Sequence, residues 1–197
     1  MLNTMIVLIV ALRERRVLLA IPGGVYNNLV VNTELEKLFK EDQDDRLSAK
    51  ADWENRQFLE YINRRDQNRR KKVKQMIEKG LIEDVSDYHH AAMIFQHGNG
   101  PEDFHKANEL AKKAMELGDQ RKDTRYYKEV RWLYAASMDR WLLSLGKAQK
   151  YGTQFVKESE GEWGLKQPID PDITDEERVR YFVPPLSEAV KRFKEKY

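Results

Sequence analysis

The stretch Asp87-Tyr88-His89-His90-Ala91-Ala92-Met93-Ile94-Phe95-Gln96-His97-Gly98 holds three of the four histidines of the chain and otherwise has the composition of a buried helix. On a helix, His90, Ile94 and His97 share one face, so both imidazoles point toward the apolar side chains. Two interpretations are open: core histidines that hydrogen-bond to a neighbouring helix, or a polar pocket with His97 at its wall. The two rings are about 10.5 Å apart along the helix axis, which is too far for both to bind one metal ion.

The sequence after this stretch predicts a second helix packed against the first. Gly98-Asn99-Gly100-Pro101 is typical of a turn, and Pro101 suits the first position of a helix that ends at Gly118. We predict an antiparallel hairpin, because small residues on the second helix allow close approach: Ala107, Ala111 and Ala114. The segment 107–118 looks like one tetratricopeptide unit, but no second copy follows at a period of about 34 residues.

Upstream, the sequence predicts three further helices. The first begins at a capping box formed by Thr33 and Glu36. Its inward stripe ends in Asp42 and Arg46, which mark either the rim of the core or a pocket. The second runs from about Asp52 with an inner face of Trp53, Leu59 and Ile62. The third carries a mixed stripe before a glycine cap: Asp66, Arg69 or Arg70, Val73, Met76, Ile77 and then Gly80.

Downstream, the most aromatic helix is predicted from about residue 126 to residue 145, with Gly146 as its cap. One face of this helix carries Trp132, Ala135, Ala136, Asp139 and Leu143. Asp139 therefore lies among apolar neighbours, where an unpaired carboxylate costs several kcal/mol. We expect it to have a partner, either a histidine or an arginine from another helix, such as Arg46 or Arg69.

The last quarter of the chain predicts less helix. In the loop 149–155, Gln-Lys-Tyr-Gly-Thr-Gln-Phe, the glycine allows a tight turn that presents the polar side chains in a fixed geometry. A small β element near residues 161–165 precedes an extended, proline-containing stretch. Thr174 or Asp175 caps a short helix, and Pro184-Pro185-Leu186 opens a final amphipathic helix.

Composition restricts the class of protein. With 197 residues, 41% hydrophobic and 35% charged, and a mean hydropathy of −0.78, the chain suits one soluble, helix-rich domain. The absence of cysteine excludes disulfides, zinc fingers and a thiol nucleophile, and it fits a cytoplasmic location. The net charge of +2 gives no electrostatic case for nucleic acid. The basic run 64–74 lacks interleaved aromatics, which favours a solvated helix face.

Two regions are predicted: residues 1–31 as an N-terminal apolar extension, and residues 32–197 as a single helical domain with a C-terminal extended segment and helix. The extension contains two apolar runs around a four-residue polar link, Arg13-Glu14-Arg15-Arg16. Each run is too short for a bilayer, which needs about 20 residues. The arginines follow the first run, whereas a signal peptide has its basic region before it. A β-hairpin, and a leader from a translation start placed too far upstream, both remain open.

Several separated motifs resemble those of a bacterial domain family of unknown function. They are Asp42-Gln43-x-Asp45-Arg46, His90-Ala91-Ala92 with Gln96-His97-Gly98, Asp139-Arg140, Gln149-x-Tyr151-Gly152-Thr153-Gln154, Pro168-Ile169-Asp170-Pro171, Glu177-Arg178 and Pro184-Pro185-Leu186. The resemblance covers about residues 35–190 and implies a compact helical domain whose motif residues are mostly polar. If the motifs converge, one site is lined by Asp42, Arg46, His97, Asp139, Arg140 and Gln154. As ligand-binding residues we predict Asp42, Arg46, His90, Gln96, Arg140, Tyr151 and Gln154.

These observations predict a mostly α fold, a compact helical bundle of antiparallel helix pairs with a small β element near the C-terminus. For function, we expect a polar pocket that binds a small ligand or a protein partner, without a cofactor or metal ion. The alternative is a hydrolase or transferase in which His97, paired with Asp139, acts as general base and Arg46 or Arg140 binds an anionic substrate group. A metal at His97 would need Asp139 or His105 as further ligands.

Overall fold

The structure, a computed structural model, describes residues 8–11, 16–19, 31–48, 51–157 and 163–196. This part of the chain contains seven helices: α1 (Thr33–Leu47), α2 (Arg56–Glu78), α3 (Val85–Gln96), α4 (Pro101–Arg121), α5 (Tyr127–Ser144), α6 (Asp175–Arg180) and α7 (Leu186–Lys196). Its strands are β1 (Leu8–Ala11), β2 (Arg16–Leu19), β3 (Val31–Asn32), β4 (Phe155–Lys157) and β5 (Trp163–Leu165). The predicted mostly α fold, with a small β element near the C-terminus, is confirmed.

The helices α3 and α4 form the centre of the bundle, and α5 packs against α4. Only four residues join α3 to α4, so the two helices run antiparallel, with Pro101 at the start of α4 as predicted. Fully buried alanines let these helices approach closely: Ala91, Ala92, Ala107 and Ala111. The predicted end of α4 at Gly118 is wrong. The helix continues to Arg121 because the left-handed cap, with φ of 53°, falls at Lys122.

The helices α1 and α2 both pack on α3 and contribute Leu35, Leu38 and Val73 to its hydrophobic core. The cap of α1 is Asn32 rather than the predicted Thr33, since the Asn32 side chain accepts a hydrogen bond from the Leu35 N–H. The Asn32 amide also donates to the Leu81 carbonyl oxygen. Asn32 therefore joins the start of α1 to the chain just before α3.

The prediction of two helices between residues 52 and 80 is wrong, because α2 is one continuous helix of 23 residues. Neither glycine nor proline interrupts its sequence, so nothing in the chain breaks it. Ile62 is buried as expected, but Leu59 is 43% exposed and Trp53, just before the helix, is 49% exposed. The first turn of α2 therefore extends beyond the core, and the helix packs on the bundle from Ile62 onward.

Two small sheets flank the helices. In the first, β1 pairs antiparallel with β2, and β2 pairs with β3, which leads directly into α1. The hairpin that the two apolar runs predicted is thus present; the Arg13–Arg15 part of its link lies outside the described residues. In the second sheet, β4 pairs antiparallel with β5. Within the described residues, we find no helix that is both long and apolar enough to cross a membrane.

Candidate functional site

A buried carboxylate on α1, Asp42, joins two elements of the bundle. The Asp42 side chain is fully buried, and its Oδ2 lies 2.9 Å from Nδ1 of His97, which caps the C-terminal end of α3. Its Oδ1 accepts a hydrogen bond of 2.9 Å from Nη1 of Arg46, one turn further along α1. Gln43 donates to Oδ2 at 2.8 Å. The carboxylate therefore connects α1 to the end of α3 through charge-assisted hydrogen bonds.

His97 is held in one tautomer by this carboxylate. Burial lowers the pKa of His97, and the hydrogen bond and charge of Asp42 offset only part of that effect, so the ring is neutral at pH 7. Because a carboxylate only accepts hydrogen bonds, the ring proton lies on Nδ1 and Nε2 keeps its lone pair. The His97 side chain is 19% exposed, so solvent reaches the imidazole. The arrangement presents a neutral hydrogen-bond acceptor at the surface of the bundle.

The backbone at His97 is fixed by α2 and α4. Nη1 of Arg70 donates to the His97 carbonyl oxygen at 2.9 Å, and Nε of the same arginine pairs with Asp103 at 3.0 Å. Gly98 allows α4 to come this close, because a Cβ at Gly98 would overlap the side chain of Asp103. The turn that the sequence analysis identified as Gly98-Asn99-Gly100-Pro101 thus positions the histidine that precedes it.

Three aspartates and three arginines form a network of ion pairs between α1 and α2. Arg46 bridges Asp42 and Asp66, with a distance of 2.6 Å to the latter. Two more arginines pair with Asp45 at 2.7 Å each, Arg65 and Arg69, and Arg69 also pairs with Asp66 at 2.5 Å. The basic run 64–74 is therefore only partly a solvated face, since Arg69 and Arg70 are buried and paired.

Arg140 on α5 binds the C-terminal end of α3, next to His97. Its Nη1 donates to the Gln96 carbonyl oxygen at 2.6 Å, and its Nε donates to Oε1 of Gln154 at 3.2 Å. Burial and the positive charge of Arg46 lower the pKa of Arg140. Both arginines also act electrostatically on His97, where each lowers the pKa of the imidazole. Arg46, His97, Arg140 and Gln154 thus form one group, which we call the His97 site.

Asp139 has a different partner from the one that the sequence analysis expected. Its Oδ1 accepts the Tyr151 N–H at 2.7 Å, and its Oδ2 accepts the Thr153 N–H at 2.8 Å and the Thr153 hydroxyl at 2.7 Å. The predicted pairing of Asp139 with His97 is wrong, because the carboxylate that contacts His97 is Asp42. Burial raises the pKa of Asp139, and the hydrogen bonds from the loop oppose that rise. The geometry gives Asp139 the role of anchoring the 149–154 loop to α5.

The loop from Gln149 to Gln154 supplies one side of the His97 site. Gln149 is fully buried, and its Oε1 accepts the Gln154 N–H while its Nε2 donates to the Gln154 carbonyl oxygen. Gln154 in turn receives the hydrogen bond from Arg140. Sequence analysis did not identify Gln149 as a supporting residue. Its only signal was its place in the loop motif, because a single glutamine in a loop belongs to no periodic pattern of apolar residues that would predict its burial.

Two predicted ligand-binding residues belong to other parts of the core. The ring of His90 stacks on Phe39 at 4.2 Å between ring centroids, and its Nε2 lies 3.4 Å from the Tyr126 hydroxyl oxygen. Tyr151 is buried against Tyr181, with ring centroids 4.9 Å apart. Gln96 contributes through its backbone carbonyl oxygen, which accepts from Arg140. The structure therefore brings together Asp42, Arg46, His97, Arg140 and Gln154, with Gln96 joining through its backbone, and it places His90, Tyr151 and Asp139 in packing or anchoring positions.

His89, His90 and His97 therefore have different surroundings. His89 and His90 lie within an aromatic cluster with Phe39 and Tyr126, and only His97 meets a carboxylate and solvent. Burial lowers the pKa of His89 to about 3 and that of His90 to about 4. Among the residues described, no group of three or more His, Asp or Glu side chains has a geometry that could hold a metal ion.

Comparison of the chain with protein-family models, with curated proteins and with solved structures finds no match.

Proposed function

We propose that the protein is a helical domain that binds a small ligand at the His97 site. The observation that carries this proposal is the hydrogen bond of 2.9 Å between His97 and the buried Asp42, which leaves Nε2 of a partly exposed imidazole as an acceptor. The side chains around it come from α1, α3, α5 and the 149–154 loop, so a ligand there would contact four separate elements. Binding sites in helical bundles are commonly built in this way.

The molecule bound at the His97 site is either a small ligand or a side chain of a protein partner. We place the protein in the cytoplasm. The absence of cysteine favours a reducing compartment. The resemblance to a bacterial domain family of unknown function agrees with a site built from separated polar motifs. A protein partner would insert one polar side chain at His97, whereas a small ligand would occupy the site alone.

Binding can be tested by thermal denaturation of the protein with a panel of amides, sugars, amino acids, carboxylic acids and phosphate monoesters. A compound that binds the folded state raises the midpoint by mass action. We expect at least one class to stabilise the wild type but not His97→Ala. The matched control is His105→Ala, which replaces an exposed histidine that packs on Trp141. Equal stabilisation of wild type and His97→Ala by every active compound would contradict the proposal.

General base catalysis is the second candidate, and the same pair of residues favours it. A neutral histidine oriented by a carboxylate is the arrangement that removes a proton from water or from a hydroxyl group. In a hydrolysis, water would attack the ester carbon or phosphorus while Nε2 of His97 takes a proton from it. The ester C–O or P–O bond would then break, and the imidazolium would return the proton to the leaving oxygen, which departs as the alcohol. Asp42 replaces Asp139 as the orienting carboxylate in this hypothesis.

Catalysis can be tested with p-nitrophenyl acetate and p-nitrophenyl phosphate. We expect release of p-nitrophenol that disappears in His97→Ala and persists in His105→Ala. A rate that rises with pH through the pKa of His97 would assign the base. If neither ester is hydrolysed faster than in buffer, ligand binding without hydrolysis of such esters is the function to pursue.

A further inference from the structure

Arg140 differs from the other arginines around the His97 site in its partners. Arg46, Arg65, Arg69 and Arg70 each pair with at least one aspartate at 3.0 Å or less. In the described part of the chain, no carboxylate forms an ion pair with Arg140, whose hydrogen bonds go to a backbone carbonyl and to the amide of Gln154. The guanidinium is therefore fixed in position but not neutralised.

The position of Arg140 is determined on three sides. Besides the bonds to Gln96 and Gln154, its Cζ lies 5.7 Å from the centroid of the Phe104 ring, within reach of a cation–π interaction. A guanidinium has five N–H groups, and the hydrogen bonds to Gln154 and Gln96 use one on Nε and one on Nη1. The N–H groups of Nη2 make no hydrogen bond to the described residues, so they are available to a ligand.

Arg140 carries the uncompensated positive charge of this site. Arg46 already pairs with Asp42 and Asp66, whereas Arg140 binds the carbonyl oxygen of Gln96, the residue that precedes His97. Because arginine keeps its proton at neutral pH, the Arg140 guanidinium stays charged. A charged donor held near an accepting imidazole favours a ligand with a negatively charged group.

We propose that Arg140 binds an anionic group, a carboxylate or a phosphate, of the ligand that contacts His97. This inference depends on the proposed function and specifies its ligand class. A phosphate monoester with a proton on one oxygen could in addition donate a hydrogen bond to Nε2 of His97, whereas a fully ionised carboxylate could only accept from the arginine. The two anions therefore differ in one contact. Both accept hydrogen bonds from Arg140, and only the protonated phosphate donates one to His97.

The test is a titration followed by the ring nitrogens of His97 in 1H–15N spectra at pH 7 and constant ionic strength. The probes are inorganic phosphate, acetate and, as an uncharged polyol, glycerol. We expect a saturable shift of the His97 signals with phosphate or acetate, and the anion that saturates first identifies the class of group. In Arg140→Gln we expect affinity to fall about tenfold or more. The matched control is Arg131→Gln, on the same helix, where Arg131 pairs with Asp119.

Three results would overturn the inference, and they separate it from the proposed function. Equal affinity for the anions in wild type and Arg140→Gln removes Arg140 from the site. Saturation with glycerol but with neither anion keeps a ligand site at His97 and rejects an anionic ligand. No response of His97 to any probe rejects both. If Arg140→Gln does not fold, the Nε–H signal of Arg140 in the wild type decides: a saturable shift with either anion supports the inference, and its absence overturns it.

Discussion

Asp42 and His97 are 55 residues apart in sequence, yet Nδ1 of His97 lies 2.9 Å from Oδ2 of Asp42 and 3.2 Å from Oδ1. The contact joins the middle of α1 to the C-terminal end of α3. Because the carboxylate is fully buried while the imidazole is partly exposed, the pair connects the interior of the bundle to its surface. Both the stability of the protein and the chemistry of the His97 site therefore depend on Asp42.

The first prediction concerns the stability that Asp42 provides. We expect Asp42→Asn to lower the free energy of unfolding by about 1.5–3 kcal/mol, since the substitution removes the charged acceptor of the Arg46 hydrogen bond. Arg46 keeps Asp66 as its remaining carboxylate partner. Urea denaturation followed by circular dichroism measures the change. Asp44→Asn is the matched control, because Asp44 is an exposed aspartate on the same helix and should change stability by less than about 0.5 kcal/mol. A loss of similar size in both variants would contradict the role given to Asp42.

The second prediction separates the two aspartates by their effect on His97. The hydrogen bond and charge of Asp42 raise the pKa of His97 against the effect of burial, so Asp42→Asn should lower that pKa further. Asp139→Asn should leave the pKa of His97 unchanged, because the Asp139 carboxylate binds the Tyr151 and Thr153 amides. The measurement is a titration of the His97 ring signals by NMR. A lower pKa in Asp139→Asn but not in Asp42→Asn would restore the pairing expected from the sequence.

Asp42 and Asp139 show which features of the site could be predicted from the sequence and which could not. Helical periodicity correctly placed Asp139 on an inward face, and turn residues correctly marked the connection between α3 and α4. His97 was expected on the buried face of α3, but it lies one residue beyond that helix as its cap and is partly exposed. Partner choice depends on how the helices rotate against each other, and no periodic pattern contains that information. Backbone N–H groups of a loop can also satisfy a buried carboxylate, and no residue type in the sequence signals that they do so. The spacing of Asp66 and Arg69 at i and i+3 was a usable signal for the ion-pair network, since it places both charges on one face of α2.

The third prediction follows from the buried histidines of α3. In the folded protein the pKa of His89 is about 3 and that of His90 about 4, whereas an exposed histidine titrates near 6.5. The unfolded chain therefore binds more protons as pH falls below about 6.5, so stability decreases between that pH and about 4. Each histidine contributes a slope of at most about 1.4 kcal/mol per pH unit. Urea denaturation at a series of pH values measures this slope.

Two variants isolate the contribution of the histidines from that of the carboxylates. His89→Phe removes a titrating group whose Nδ1 makes no hydrogen bond, so we expect a flatter dependence of stability on pH between 6.5 and 4. His105→Gln, at an exposed histidine, is the matched control for the loss of an imidazole. An unchanged slope in His89→Phe would show that acid sensitivity comes from the ion pairs instead.

The fourth prediction uses two glycines with the same backbone conformation but different surroundings. Gly146 has φ of 71° and Gly152 has φ of 66°, so alanine at either position costs about 1–2 kcal/mol for the left-handed backbone. A Cβ at Gly146 would meet no atom within 4 Å, whereas one at Gly152 would lie 2.6 Å from Nη1 of the buried Arg178. That guanidinium donates to the carbonyl oxygens of Tyr151 and Pro184, which fix the 149–154 loop to the C-terminal segment.

We therefore expect Gly152→Ala to lower the free energy of unfolding by clearly more than Gly146→Ala, and the difference measures the displacement of Arg178. The loop also contains Gln154, which binds Arg140, so Gly152→Ala should in addition weaken any ligand bound at the His97 site. Gly146→Ala should leave that affinity unchanged. Urea denaturation and the NMR titration of His97 measure the two effects, and equal losses of stability in the two variants would mean that Arg178 moves aside at no cost.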